Sequence, residues 1–156
     1  MSGGLVVFVC TGNICRSPMA EYLLRATPGL GHGWDVCSAG LAAVFGIPAS
    51  HEAVDVMREK GIDISFHMSR PLSGELVDAA ALVVVMTRDH QRMMEMLYPE
   101  AMHKVRMLKS FERHGRDDDL RDPIGMSHDV YRGIRNEIET ALTGVVAHLV
   151  DGKEIE

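Results

Sequence analysis

The feature that most constrains this chain is an apolar run that leads directly into a loop containing two cysteines. Residues 5–9 read Leu-Val-Val-Phe-Val, and residues 10–18 read Cys-Thr-Gly-Asn-Ile-Cys-Arg-Ser-Pro. A short continuous apolar run is typical of a strand buried on both faces of a parallel sheet. Ser17 is a residue type that caps helices, and Pro18 is favoured at a first helical position. The sequence therefore predicts a strand, a short loop and then a helix.

This arrangement predicts a phosphate-binding loop built around a cysteine thiolate. A short loop that closes onto a helix start directs several backbone N–H groups at one point, where the helix dipole also favours an anion. Gly12 and Asn13 are residue types that adopt positive φ, and the planar guanidinium of Arg16 matches two phosphoryl oxygens. The same positive field is expected to hold Cys10 as a thiolate. A cysteine that ends a strand is often only a small buried apolar residue, but its neighbours here favour the phosphate site.

The rest of the chain alternates between strand and helix patterns. Apolar runs predict further strands at residues 34–37, 79–86 and 105–108. Amphipathic spacing predicts helices at residues 17–26, 51–60, from Thr87 or Asp89 to 96, and 127–149. This alternation indicates an α/β fold, a single-domain three-layer sandwich with a central four-stranded parallel sheet. We expect one domain over residues 1–156, with the site beyond the carboxyl end of the first strand.

Composition and charge exclude several classes of protein. The 156 residues suit one domain, and 46% apolar and 24% charged residues are ordinary for a globular protein rather than a disordered or fibrous one. The formal net charge of −6 disfavours nucleic-acid binding, which depends on lysine and arginine contacts with phosphates. The early apolar run is too short to span a membrane, so no membrane partner is expected. The three cysteines, an odd number, fit reduced thiols and predict a cytoplasmic protein.

Residues 9–18 also match the signature Val-Cys-x-Gly-Asn-x-Cys-Arg-Ser-Pro of a known family. Three further segments agree with that family: Met19-Ala20-Glu21 in the first helix, Ser38-Ala39-Gly40 in a turn after the second strand, and Asp122-Pro123 late in the chain. On these residues the chain resembles the low-molecular-weight protein tyrosine phosphatase family along essentially its whole length. The resemblance implies a hydrolase, a cysteine-dependent protein phosphatase that dephosphorylates phosphotyrosine through a phosphocysteine intermediate.

The resemblance also implies a role for each matching residue. Cys10 would be the nucleophile, Arg16 the phosphate clamp and Asp122 the general acid. The phosphate-binding loop would consist of Thr11, Gly12, Asn13, Ile14, Cys15 and Arg16. Asn13 and Ser17 would support the loop, with the Ser17 hydroxyl donating to the Cys10 sulfur, and His67 would hydrogen-bond the loop from behind.

Three positions bear on substrate choice within this family. Tyrosine phosphatases commonly carry isoleucine at the position of Ile14, whereas protein arginine phosphatases usually carry threonine there. Tyrosine enzymes often place aromatic residues near the positions of Val44 and Ile124, and residues 122–131 here resemble the arginine branch more closely. The resemblance favours a phosphotyrosine substrate through Ile14 and leaves a protein arginine phosphatase as the alternative.

Two other interpretations fit the sequence less well. Arsenate reductases on this scaffold relay electrons through two further cysteines, whereas Cys37 is the one remaining cysteine of this chain. A noncatalytic phosphate-binding module would need neither the thiolate of Cys10 nor the acid Asp122. An arsenate reductase and a noncatalytic phosphate-binding module are therefore less favoured than a phosphatase.

Charged and histidine residues outside the loop do not suggest a metal or cofactor site. The aspartates at 117–119 belong to a polar stretch, residues 112–122, which we expect to form a mobile, solvated loop that carries Asp122 over the site. The eight histidines have neither the helical spacing nor the cysteine neighbours of a zinc site. They are expected at the surface or at helix ends, and no metal or nucleotide cofactor is expected.

Overall fold

Strands and helices alternate along the chain in the computed structural model, which describes residues 3–112 and 118–152. The strands are β1 (Gly4–Cys10), β2 (Trp34–Gly40), β3 (Leu82–Val85) and β4 (Val105–Met107). The α-helices are α1 (Arg16–Arg25), α2 (His51–Arg58), α3 (Gly74–Ala79), α4 (Arg88–Leu97) and α5 (His128–Asp151). Short 3₁₀ helices at Pro99–Lys104 and Leu108–Phe111 flank β4.

The four strands form one parallel sheet in the order β2-β1-β3-β4. Alternate side chains of β1 face opposite sides of this sheet. Val6 and Phe8 pack into a core shared with α1, α2 and α5, whereas Val7 and Val9 pack into a second core that includes residues of α3 and α4. The predicted three-layer α/β sandwich is confirmed, and it places Cys10 at the carboxyl end of a central strand.

Two local predictions are wrong. The strand predicted at residues 79–86 begins only at Leu82, because residues 74–79 form α3, a short helix capped by the Ser73 hydroxyl, which accepts from the Leu76 N–H. Ser38-Ala39-Gly40 lies within β2 rather than in a turn after it. Apolar residues such as Val77 and Ala80 are buried in the same core as the strand, so hydrophobicity alone does not separate the helix from the strand.

The outer edge of β2 is occupied along much of its length. The guanidinium of Arg25 donates to the carbonyl oxygen of Val36, and Arg70 Nε donates to that of Ser38 at 3.1 Å. Beyond them, Gly40 N donates to Arg70 O at 2.9 Å, and Leu72 N donates to Gly40 O at 2.8 Å. Side chains and one bridging segment thus occupy backbone groups that an edge strand usually leaves open.

The longest helix, α5, packs against α1 and α2. Ser127 caps its start by accepting from Val130 N, and Gly152 ends it with φ 64°. Glu59, at the end of α2, accepts from Arg132 Nη2 at 2.6 Å and from the buried Arg135 Nη1 at 2.8 Å. Across residues 3–112 and 118–152, no helix is long and apolar enough to cross a membrane.

Candidate active site

A cavity of about 210 Å³ opens at the carboxyl end of β1. Its lining comprises Cys10, Thr11, Gly12, Ile14, Cys15, Arg16, Asp122 and Ile124. The structure therefore brings together the predicted nucleophile, the predicted phosphate clamp and the predicted acid, which are distant in sequence. Val44, also predicted to influence specificity, is 68% exposed and is not part of this lining.

The sulfur of Cys10 lies among hydrogen-bond donors. It is 2.9 Å from Ser17 Oγ, and Asn13 N donates to it at 3.3 Å. A thiolate can only accept, so in the charged form the Ser17 hydroxyl is the donor of the first contact. Both contacts stabilise negative charge on the sulfur and leave Cys10 at the floor of the cavity.

Asn13 determines the shape of the loop. It has φ 58°, and it is the one non-glycine residue with positive φ in the described part of the chain. Its Nδ2 donates to Ser17 Oγ at 2.8 Å and to Ser38 Oγ at 2.9 Å, and its Oδ1 accepts from Arg70 N at 3.0 Å. Gly12, which could also adopt positive φ, does not do so. Asparagine tolerates this conformation better than most residues, and here its whole side-chain amide is paired.

The loop is also supported from behind. His67 Nε2 lies 2.8 Å from the carbonyl oxygen of Asn13, which is the position predicted for this histidine. A Cβ atom on Gly40 would lie 2.6 Å from the Thr11 carbonyl oxygen and 3.1 Å from Asn13 N. Gly40 is therefore required because the backbone of β2 and the loop approach each other too closely for a side chain.

An ion pair between the buried Glu21 and the exposed Arg25 extends the same network. Ser38 Oγ donates to Glu21 Oε1 at 2.6 Å, and Glu21 Oε2 pairs with Arg25 Nη2 at 2.9 Å. Glu21 is almost fully buried, so its carboxylate is stabilised by these two partners rather than by water. The sequence analysis placed Glu21 in the first helix but did not foresee its link to the loop.

Arg16 presents one edge of its guanidinium to the cavity. Its Nη1 donates to the Leu120 carbonyl oxygen at 3.0 Å, and its Nη2 lies 3.6 Å from Asp122 Oδ2. Its Nε is buried and has no hydrogen-bond partner among the described residues. A buried donor without a partner is rare, and the Nε–Nη2 edge matches two oxygens of a phosphoryl group. Nη1 of Arg16 is thus fixed by Leu120, whereas Nε and Nη2 can together contact two oxygens of a phosphoryl group.

Helix α1 begins one residue earlier than predicted, and Ser17 does not cap it. Cys15 is the N-cap residue, and its side chain accepts no capping hydrogen bond. The Ser17 hydroxyl instead hydrogen-bonds with Cys10 and Asn13. Cys15 Sγ lies 3.2 Å from Tyr131 Oη, and burial raises the pKa of the Cys15 thiol. Without a side-chain cap, the first N–H groups of α1 remain available to an anion in the cavity.

The segment that carries Asp122 is anchored at two points. Leu120 N donates to Met86 O at 2.9 Å, and Asp119 Oδ1 accepts from Arg88 N at the start of α4 at 2.9 Å. Asp122 Oδ1 accepts from Ile124 N at 3.1 Å, which leaves Oδ2 facing Arg16. Asp119 is exposed and lies in an irregular segment, as expected of a solvated loop, but its carboxylate is also fixed to the start of α4.

Two further expectations concern the rest of the predicted mobile loop and a metal site. Residues 113–117, including Asp117, lie outside the described residues. Within the described ranges, no group of three or more His, Cys, Asp or Glu side chains is arranged to hold a metal ion.

His90 was not predicted as a site residue, yet it contacts the loop. It is 4% exposed, and its Nε2 lies 2.9 Å from Thr11 Oγ1. Burial, with the Arg16 charge as a second cause, lowers its pKa to about 4, so the ring is neutral at pH 7. His90 lies in the first turn of α4, at a helix end as expected, but its side chain is buried rather than at the surface, because it shares the buried face of α4 with Met94. That i, i+4 spacing is the signal in the sequence that could have revealed it.

Comparison with known proteins places this site in a family. A family model described as low molecular weight phosphotyrosine protein phosphatase matches residues 5–154. A protein-arginine-phosphatase of Geobacillus stearothermophilus is 44% identical over 139 residues, 88% of this chain and 90% of that protein. A probable low molecular weight protein-tyrosine-phosphatase, EpsP, of Ralstonia solanacearum is 39% identical over 135 residues, 86% of this chain and 90% of that protein.

Solved structures agree with this result. The YwlE arginine phosphatase from Geobacillus stearothermophilus superposes with a TM-score of 0.88 at 41% identity, covering 96% of this chain and 94% of that one. A mutant of a YwlE arginine phosphatase with a phosphorylated active-site serine superposes with a TM-score of 0.87 at 35% identity, covering 97% and 99%. Fold and sequence therefore lead to the same family.

Proposed function

Because this chain belongs to the low molecular weight phosphotyrosine protein phosphatase family, we propose that it removes the phosphoryl group from phosphotyrosine in proteins. It is a phosphatase, as its relatives are. The roles assigned below to Cys10, Arg16 and Asp122 are part of the proposal.

The observation that carries the choice of phosphotyrosine is the pair of isoleucines in the cavity lining. Ile14 and Ile124 both line the cavity, whose floor holds Cys10 and Arg16. A phosphoryl group on that floor places the phenyl ring of phosphotyrosine between two apolar side chains. Ile14 is branched at Cβ and therefore stiff, so it offers a fixed apolar surface to a flat ring. A guanidinium in the same place would lose hydration without gaining a hydrogen bond from these two residues.

In the first chemical step the Cys10 thiolate attacks phosphorus in line. An S–P bond forms while the P–O bond to tyrosine breaks, and protonated Asp122 gives its proton to the departing phenolic oxygen. The Nε–Nη2 edge of Arg16 and the loop N–H groups bind the equatorial phosphoryl oxygens. Ile124 N fixes Oδ1 of Asp122, so that Oδ2 faces the guanidinium of Arg16 in the cavity. From this position Oδ2 can reach the leaving oxygen.

In the second step water hydrolyses the phosphocysteine. Asp122, now a carboxylate, removes a proton from the water, whose oxygen attacks phosphorus as the S–P bond breaks. Inorganic phosphate leaves, the Cys10 thiolate is restored and Asp122 is again protonated. The phosphorylated active-site serine in a structural relative supports a covalent phosphoenzyme at the nucleophile position.

The test compares phosphotyrosine and phosphoarginine peptides of the same sequence with three proteins: wild type, Ile14→Thr and Ile14→Val. Valine and threonine have nearly the same shape, so they differ at this position mainly by a hydroxyl. We expect wild type and Ile14→Val to prefer phosphotyrosine. Ile14→Thr should shift the ratio of kcat/KM toward phosphoarginine by roughly 10–200-fold, the range for one pocket contact. Cys10→Ser is the inactive control.

A protein arginine phosphatase is the second candidate, and a specific observation favours it. The relative that is 44% identical bears that name, and so does a structural neighbour at 41% identity. If wild type hydrolyses phosphoarginine peptides with the higher kcat/KM, this candidate replaces the first. An equal shift in Ile14→Val and Ile14→Thr would instead mean that side-chain volume, not the hydroxyl, sets the preference.

We also propose the setting in which the enzyme works. Phosphorylated proteins are its partners, which the family supports, and the net charge of −6 argues against nucleic acid as a partner. Three cysteines without a disulfide support the cytoplasm as its location. We propose that residues 1–156 form a single phosphatase domain and that the protein has no membrane partner.

A further inference from the structure

The contact between Thr11 and His90 joins the cavity wall to helix α4. Thr11 follows the predicted nucleophile and lines the cavity, whereas His90 lies in the first turn of α4, 79 residues away in sequence. Their side chains approach at 2.9 Å between Oγ1 and Nε2. The backbone N–H of His90 donates to Thr87 Oγ1 at 3.1 Å, which fixes the backbone of His90 at the start of α4. The imidazole is 4% exposed and therefore restricted by packing, whereas Thr11 is exposed to the cavity.

The second ring nitrogen decides the direction of this hydrogen bond. His90 Nδ1 is buried and has no partner among the described residues. A neutral imidazole carries one N–H, and a buried N–H without an acceptor is rarer than a buried acceptor without a donor. The proton therefore belongs on Nε2, where Thr11 Oγ1 accepts it. Because the hydroxyl oxygen of Thr11 then acts as an acceptor toward His90, its own hydrogen is free to point elsewhere.

We propose that His90 is a positioning residue that donates from Nε2 to Thr11 Oγ1 and thereby holds the Thr11 hydroxyl as a hydrogen-bond donor toward the substrate. The opposite tautomer would consume the Thr11 hydrogen in the contact with His90 and present only lone pairs to the cavity. The cavity then has two different walls, an apolar one from Ile14 and Ile124 and a polar one from Thr11. The inference rests on the proposed phosphatase function for the identity of the substrate, but not for the tautomer.

The first experiment measures the tautomer directly. Two-bond ¹H–¹⁵N correlation spectra of the histidine rings in the wild-type protein distinguish a proton on Nε2 from one on Nδ1, and His90→Gln assigns the His90 signals by their loss. We expect Nε2 to be protonated at pH 7. A proton on Nδ1 overturns the proposal, whether or not the protein hydrolyses any phosphate ester.

The second experiment uses two amides that differ in reach. The Gln side chain places an N–H near the position of His Nε2, whereas the Asn side chain is one methylene shorter. We expect His90→Gln to retain kcat/KM and His90→Asn to lose about 3- to 10-fold, the value of one neutral hydrogen bond. In the Thr11→Val background, which lacks the hydroxyl, His90→Asn should cause no further loss. Activity is measured with an aryl phosphate, so that the choice between phosphotyrosine and phosphoarginine does not enter.

Thermal unfolding of each variant separates this role from a structural one. We expect all the variants to be folded at the assay temperature, with the loss in His90→Asn confined to proteins that keep Thr11. Equal losses in His90→Gln and His90→Asn, or additive effects of His90→Asn and Thr11→Val, would overturn the proposal. Absence of turnover in wild type would contradict the proposed function and leave the spectroscopic result standing.

Discussion

Asp122 combines two geometric restraints in one side chain. Its Oδ1 is bound by Ile124 N, and its Oδ2 lies 3.6 Å from Arg16 Nη2. It is also about half exposed, so water can reach the carboxyl group. These restraints suit a group that delivers a proton to a leaving oxygen and later takes one from water.

We therefore expect Asp122→Asn to slow hydrolysis in proportion to how poor the leaving group is. The loss should approach 10²–10⁴-fold for phosphotyrosine, roughly the contribution of general acid catalysis, and be much smaller for an activated aryl phosphate. Asparagine keeps the acceptor for Ile124 N, so the segment should hold its shape. A series of aryl phosphates with different leaving-group pKa values measures this, and equal losses across the series would indicate a structural role.

Some of these residues could be predicted from the sequence, and others could not. Cys10 and Arg16 were predictable because a strand end, a short loop and a helix start leave little choice of where they point. Asp122 was predictable from the family resemblance. The i, i+4 spacing of His90 and Met94 could have predicted that His90 is buried, but not which residue it contacts. The contacts of His90 with Thr11 and of Glu21 with Ser38 join elements distant in sequence, which spacing and propensity do not specify.

At the scale of elements, the segment that carries Asp122 is held by the start of α4. Asp119 accepts from Arg88 N, and Leu120 N donates to Met86 O at the end of β3. The Leu120 carbonyl oxygen in turn accepts from Arg16 Nη1. One short segment thus fixes both Arg16 and Asp122 relative to the sheet.

We expect Asp119→Ala to lower kcat for phosphotyrosine by up to about 100-fold, the cost of a misplacement of about 1 Å in a catalytic group. Asp119→Asn keeps an oxygen that can accept from Arg88 N and should remain close to wild type. Asp118→Ala removes the adjacent exposed carboxylate and controls for the loss of charge. If Asp119→Asn and Asp119→Ala are equally impaired, the anchor at Arg88 does not position the acid.

The boundaries of some helices and strands could be predicted from the sequence, and those of others could not. Long apolar patterns such as β1 and α5 were predicted well because burial of one face or both faces dominates their sequence. The six-residue helix α3 was missed, since it is too short to show a helical period and begins with Gly74, a poor helix former. The start of α1 differs because the Ser17 hydroxyl binds within the loop instead of capping the helix.

At the scale of the whole molecule, two groups make stability depend on pH in the same direction. Burial and Arg16 lower the pKa of His90 to about 4 from 6.5, although Asp119, Asp122 and Asp89 oppose this shift. The unfolded chain therefore binds more protons than the folded one between about pH 4 and 6.5, so stability rises with pH across that window. Hydrogen bonds from Arg132 and Arg135 lower the pKa of Glu59 to about 2 from 4.5, and stability likewise falls as pH drops through that lower window.

We expect the melting temperature to fall continuously from pH 6.5 toward strongly acidic pH. His90→Gln should flatten the upper part of this profile, because the replaced side chain no longer titrates. Glu59→Gln should flatten the lower part and lower the melting temperature at neutral pH, where Arg135 loses a charged partner. Thermal unfolding from pH 3 to 8 checks both. A His90→Gln profile parallel to wild type above pH 4.5 would contradict the assignment.

The occupied edge of β2 has a consequence for how the protein behaves in concentrated solution. An open strand edge can recruit a strand from another molecule and start aggregation, and here Arg25 and Arg70 bind the carbonyl oxygens that such a strand would need. Replacing both with alanine should increase light scattering on mild heating at high protein concentration. Alanine at Arg58 and Arg92, which are exposed on helices, removes the same charge and should not. We therefore expect these two arginines to keep neighbouring molecules from joining their sheets.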